Sequence, residues 1–116
     1  MYAYVNHAAI CVTDFDWYKN FFQTVCEMEI YREDGEAPKR RCWFKEGIQI
    51  DEKTVQLETN GAISHIGLLT ADVPALVAKA IEAGCSPIEG MAAHWMALPN
   101  GIKLEVKQLG KLPEHK

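Results

Sequence analysis

The stretches Val5-Asn6-His7-Ala8-Ala9-Ile10-Cys11-Val12-Thr13-Asp14 and Ile63-Ser64-His65-Ile66-Gly67-Leu68-Leu69-Thr70-Ala71-Asp72 decide the fold, because they read as one another. Each sets a histidine near the start of an apolar run. Each then reaches an aspartate seven residues after that histidine, where a helical pattern begins. The period is about half of a 116-residue chain, so it indicates a duplicated module and not a solenoid. Related by symmetry, two such modules could bring both histidines to one point.

Working outward from the first copy, Tyr2 to Val12 is rich in β-formers and alternates, which predicts a strand. His7, Ala9 and Cys11 then share one face, and Ala8, Ile10 and Val12 the other. Asp14 suits a helix N-cap. Phe15, Tyr18, Phe21, Phe22 and Val25 follow at helical spacing as a buried stripe. Further strands are predicted over Met28 to Arg32, Arg41 to Lys45 and Gly47 to Glu52, with turn chemistry from Glu33 to Pro38. In the last of these, Gln49 and Asp51 oppose Ile48 and Ile50.

The second copy repeats the plan. A strand is predicted over Ile63 to Thr70, with Asp72 as N-cap and Pro74 at an early helical position. Val73, Leu76, Val77, Ala80 and Ile81 form its stripe, and Gly84 ends the helix. Strands over Ser86 to Ile88, Ala92 to Leu98 and Ile102 to Leu109 complete the module. Pro99-Asn100-Gly101 makes the last hairpin turn. The expectation is one domain of two repeats: 1–53, a polar linker 54–62, 63–109, and a tail 110–116.

Composition narrows the function. A net charge of −4 lacks the basic stripe of a nucleic-acid binder. The cluster Lys39-Arg40-Arg41 is expected to solvate a loop or strand end. No leader and no membrane-length apolar run is read from the sequence. Cys11, Cys26, Cys42 and Cys85 form no Cys-x-x-Cys pair, which favours reduced thiols and a cytoplasmic setting.

The strongest internal agreement concerns polar residues. Gln49 lies 42 residues after His7, and Glu105 lies 40 after His65, each between apolar neighbours on the last strand of its half. Two imidazoles, an amide oxygen and a carboxylate suit one divalent metal: nickel, zinc, cobalt, manganese or iron(II). Singly, a strand histidine is more often structural and a strand glutamate solvated; four at matching places favour the site. Cys11, Trp43, His94 and Trp95 are weaker candidates for a substrate pocket, and Tyr31, Trp43 and Trp95 also suit core packing.

On these residues the chain resembles the vicinal oxygen chelate superfamily of glyoxalase I, methylmalonyl-CoA epimerase, extradiol dioxygenases and bleomycin- or fosfomycin-resistance proteins. The likeness runs from Val5 to about Gln108. It rests on the two histidines, on Val12-Thr13-Asp14, on Asp72, and on Leu98-Pro99-Asn100-Gly101-Ile102-Lys103-Leu104-Glu105-Val106. That ending is similar to the family's Asp-Pro-Asp-Gly turn and final ligand strand.

The resemblance implies an α+β fold of two βαβββ modules forming a half-barrel cup, often in a homodimer. It implies His7, Gln49, His65 and Glu105 as ligands of one metal, with a small molecule as substrate. It also implies a glyoxalase I-type lyase or isomerase, in which Glu105 moves a proton beside a metal-bound carbonyl of an α-oxo or hemithioacetal compound. Compact bacterial glyoxalases usually carry an arginine and an asparagine where this chain has Cys11 and Lys53, which points away from glutathione. The alternatives are a methylmalonyl-CoA-epimerase-like enzyme, an iron(II) dioxygenase using His7, His65 and Glu105, and a non-catalytic resistance protein that sequesters a ligand.

Overall fold

The structure is a computed structural model and describes residues 6–55 and 64–110. The chain divides into two compact units, Met1–Leu57 and Glu58–Lys116. Each carries one βαβββ module, so the architecture is α+β, as the repeat predicts.

In the first unit, β1 (Ala8–Val12) leads into α1 (Phe15–Asn20), followed by β2 (Ile30–Asp34), β3 (Arg41–Phe44) and β4 (Ile48–Glu52). The sheet order is β1-β4-β3-β2. β4 returns parallel to β1, which the intervening helix makes possible, and antiparallel to β3. Asp14 caps α1 by accepting from the Trp17 N–H at 3.3 Å. The helix then widens into a π-helical segment, Phe21–Val25, in which the Cys26 N–H reaches back five residues to the Phe21 carbonyl. Phe21 and Phe22 are both fully buried there, beside Ile10, Val12, Cys42, Phe44, Ile48 and Ile50. Val25, expected in the stripe, is only half-buried.

In the second unit, β5 (His65–Thr70), α2 (Val73–Ala83), β6 (Ser86–Pro87), β7 (Trp95–Ala97) and β8 (Lys103–Gln108) assemble in the order β5-β8-β7-β6. β5 and β8 are parallel. Asp72 caps α2 through the Ala75 N–H at 3.1 Å, with Pro74 in the first turn. Gly84, at φ +127°, closes the helix by donating to Ala80 and Ile81. Leu68, Ala80, Cys85, Met96, Leu98, Ile102, Leu104 and Val106 form this unit's core.

Several expectations need correction. His7 precedes β1 and does not lie within it, and residues 2–5 of the expected first strand are outside the described residues. So are 56–62 of the linker, Ile63 and 111–116 of the tail. β2 starts at Ile30, not Met28, and runs on into Glu33 and Asp34, because both pair with β3. A bulge between Ile30 and Arg32 turns Tyr31 outward, 53% exposed, so it packs in no core.

Within α2 the apolar phase holds for Val73, Leu76, Val77 and Ala80, but Ile81 is exposed. His94 lies in the turn before β7, outside the sheet.

The basic cluster is also not simply solvated. Arg40 makes a bidentate pair with Glu52, both contacts at 2.8 Å, reaches Asp16 at 2.9 Å, and lies 4.5 Å over the Phe15 ring. Arg41 pairs with Asp34 through two contacts. The planar fork of arginine suits such bidentate pairing, and here Arg40 ties the start of β3 and the end of β4 to the start of α1.

Candidate functional site

Parallel pairing of the first and last strand puts the candidate donors of each unit on one face. In the first unit Ala9 pairs with Gln49, so His7 lies two residues upstream of Gln49's partner. In the second, Gly67 pairs with Glu105, and His65 lies two residues upstream of Glu105's partner. Register, not chain separation, is what the two halves share: the 42 and 40 residue spacings differ only through their loops. Opposite faces carry Ile10, Val12, Ile48 and Ile50 in one unit and Leu68, Leu104 and Val106 in the other, all buried. Alternation along the strands therefore fixes the face that Gln49, His65 and Glu105 occupy.

The histidines are held alike. His7 Nδ1 lies 2.7 Å from the Asn6 side-chain oxygen, and His65 Nδ1 lies 3.0 Å from the Ser64 hydroxyl. An amide oxygen only accepts, so the matching arrangement has His7 Nδ1 donating and Nε2 turned away from Asn6. The Ser64 hydroxyl can accept from His65 in the same way. An outer partner on one ring nitrogen, orienting the other as a ligand, is the usual arrangement around metals.

In the second unit, His65 Nε2 and Glu105 Oε1 are 3.4 Å apart. Two ligands at about 2.1 Å from a tetrahedral ion stand roughly 3.4 Å apart, so this pair has the spacing of adjacent metal ligands. Lys107, two residues along the same face, approaches the other Glu105 oxygen at 3.3 Å. In the first unit Gln49 is buried, 8% exposed, and its amide nitrogen donates to Asp51 at 2.8 Å. Each unit thus carries one pair of candidate donors, His7 with Gln49 and His65 with Glu105, of a chemistry that suits a divalent ion. Within either unit, among the described residues, no three His, Cys, Asp or Glu side chains gather at one point.

Comparison at the level of sequence matches no family model and no curated protein. Solved structures do match. One is the trypanothione-dependent glyoxalase I of Leishmania major, with TM-score 0.73 and 19% identity over 92% of this chain and 87% of that one. Another is the fosfomycin resistance protein FosX of Listeria monocytogenes, with TM-score 0.71 and 18% identity over 93% of each chain. The chain has the vicinal oxygen chelate fold. A third match, at TM-score 0.62 and 16% identity, is an antibiotic binding protein from a Streptomyces species, over 92% of this chain and 96% of that one.

Within this vicinal oxygen chelate fold, the weaker pocket candidates divide. Trp43 pairs across the ladder with Gln49, and Trp95 with Glu105, so each unit sets a tryptophan beside its last-strand donor. Trp95 also meets the His65 ring edge-on at 4.7 Å. This equivalence is hidden in the sequence because the β3–β4 and β7–β8 turns differ in length. Cys11 lies on the donor face of β1, opposite Asp51. His94 stands apart, in the turn, with its ring 6.2 Å from that of Trp95.

Ala9 and Gly67 occupy the strand positions beside the two donors. A Cβ added at Gly67 would meet nothing within 4 Å, so the space next to Glu105 is open. Sequence reading passed over both residues, although His-x-Ala and His-x-Gly stand at matching places. The four cysteines are free thiols. Burial raises the pKa of Cys42 and Cys85 to about 11, which leaves them as packing groups and not nucleophiles.

Proposed function

We propose that the two modules act as one domain holding one divalent metal through His7, Gln49, His65 and Glu105. On this reading the protein is a glyoxalase I-type lyase or isomerase that moves a proton between adjacent carbons of a small α-oxo or hemithioacetal compound. The observation that carries it is the His65–Glu105 pair at 3.4 Å, with His65 Nδ1 held by Ser64 and an equivalent histidine register in the other unit.

A bound metal supplies Lewis acidity toward substrate oxygens. Glu105 takes and returns the proton, with Lys107 and His65 fixing its orientation. Trp43 and Trp95 stand beside the last-strand donors of their own units, Gly67 leaves room beside Glu105, and Cys11 and His94 stay weaker candidates for substrate contact. Cys11 and Lys53 in place of the arginine and asparagine of compact glyoxalases favour a substrate other than the glutathione adduct. A cytoplasmic homodimer is the setting expected from the resemblance; among the described residues, no helix is long and apolar enough to cross a membrane.

A second reading, ligand sequestration in drug resistance, draws support from the antibiotic binding protein among the structural matches. Metal analysis separates the two. The purified chain should take up one divalent ion, and Glu105→Gln should lower turnover of the methylglyoxal hemithioacetal about a hundredfold or more. A chain that takes up no divalent ion, yet binds fosfomycin or another antibiotic, would sink the enzyme reading in favour of the second.

A further inference from the structure

Gln49 is an ambiguous donor, because an amide can present either its oxygen or its nitrogen. Only the oxygen can bind a cation. The structure shows what removes the ambiguity. Gln49 is buried, 8% exposed, and its Nε2 donates to Asp51 Oδ1 at 2.8 Å on the same strand face. A carboxylate accepts and does not donate, so the flipped amide would set oxygen against oxygen. Asp51 therefore holds the nitrogen end and leaves Oε1 pointing away from itself. Across the ladder, Arg41 faces Asp51, while its guanidinium is held charged first by the hydrogen bond to Asp34 and least by Asp51's charge.

The second unit uses the same geometry with opposite charge. Glu105 is followed two residues later, on the same face, by Lys107, whose ammonium approaches Oε2 at 3.3 Å and leaves Oε1 beside His65. In each unit the residue two places beyond the last-strand donor grips the half of the donor that does not face the site. An acid follows the amide and a base follows the acid. The chemistry of each pair is complementary, which a pair of merely solvated strand residues would not require.

We propose that Asp51 is a positioning residue that selects the Gln49 oxygen as metal donor, as Lys107 positions Glu105. This rests on the metal reading above. Outer partners of this kind typically alter metal affinity 10–100-fold when removed.

The test is cobalt(II) titration of the full chain, followed by visible absorption, with thermal unfolding of each variant in parallel. Asp51→Ala should weaken cobalt(II) binding about tenfold and change the absorption band. Asp51→Asn, whose carbonyl still accepts, should restore most of the affinity. In a Gln49→Ala background, Asp51→Ala should produce no further loss. Should Asp51→Ala fail to fold, a charge exchange decides the matter. Asp51→Lys alone should weaken binding, and adding Gln49→Glu, which copies the Glu105–Lys107 pair, should recover it.

Equal loss from Asp51→Ala in both backgrounds, or no recovery in the exchanged pair, overturns the proposal while leaving the metal reading standing. A wild-type chain that takes up no cobalt(II) overturns both.

Discussion

At the scale of single residues, the donors matter less than what stands next to them. His7 and His65 each have Nδ1 within hydrogen-bond distance of the residue immediately before, Asn6 and Ser64, which leaves Nε2 as the nitrogen turned elsewhere. Space is governed by Ala9 and Gly67, which pair with Gln49 and Glu105 across the ladder. Gly67 has an ordinary strand backbone and open space where a side chain would project, so a larger residue can be accepted by the fold. Gly67→Leu should leave the thermal midpoint at or slightly above that of the wild type, since leucine suits a strand better than glycine. The same variant should weaken metal or substrate binding tenfold or more by filling the space beside Glu105, read by cobalt(II) titration. Loss of both folding and binding would show that Gly67 serves packing and not the site.

At the scale of elements, both helices start on an aspartate and run to a different depth. Asp72→Ala removes the acceptor for the Ala75 N–H and should cost about 1 kcal/mol in chemical denaturation. A change under a few tenths would mean that water replaces the cap. The stripe of α2 was legible in its period, but the exposure of Ile81 was not, because periodicity gives phase and not how much of a helix is covered. The π-helical widening at Phe21 likewise follows from burying two adjacent phenylalanines, a tertiary demand that helical spacing cannot show.

The adjoining ends of β3 and β4 are tied to α1 by Arg40. Its hydrogen bonds to Glu52 hold that carboxyl below its ordinary 4.5. With the folded value lowered, the unfolded chain takes up the proton first as pH falls. The pair's stabilisation is therefore complete above about pH 4.5 and is lost as pH drops through the lowered folded value. Asp34 is held low in the same sense, first by its hydrogen bond from Arg41. Glu52→Gln should unfold at a lower temperature than wild type at pH 7, and that difference should shrink below pH 4.5. A difference that persists unchanged at pH 2 would assign Glu52's contribution to packing.

At the scale of the whole molecule, two units of equal plan each bring a pair of donors. If both pairs serve one ion, removing a donor from either half must abolish the same binding event. His7→Ala and His65→Ala should therefore each reduce uptake from one ion per chain to well below one, measured by metal analysis after dialysis. Two independent ions, each sensitive to only one of the substitutions, would instead assign a separate site to each unit. Substrate identity also belongs to this scale. Cys11 and Lys53 are visible in the sequence, yet what they exclude depends on how a bound molecule lies against the tryptophan that each unit sets beside its last-strand candidate donor.

The sequence by itself determined the duplication, the α+β class, both helix caps, the Pro99-Asn100-Gly101 turn and the four candidate donors. The class, the caps and the turn are local signals, since alternation, helical period, capping and turn chemistry each act over a few residues; the duplication and the donors come from comparing two such stretches along the chain. Tertiary structure alone decided which residues surround the donors. Asp51 and Lys107 grip them from two residues along the same strand, Trp43 and Trp95 flank them through the antiparallel β3–β4 and β7–β8 pairings, and Ala9 and Gly67 leave them room through parallel pairing with strands about forty residues away. Arg40, which reads as a surface charge, became the clamp on Glu52 for the same reason. A cross-strand partner depends on register, and register comes from burying one face of a whole sheet, so no short stretch contains it.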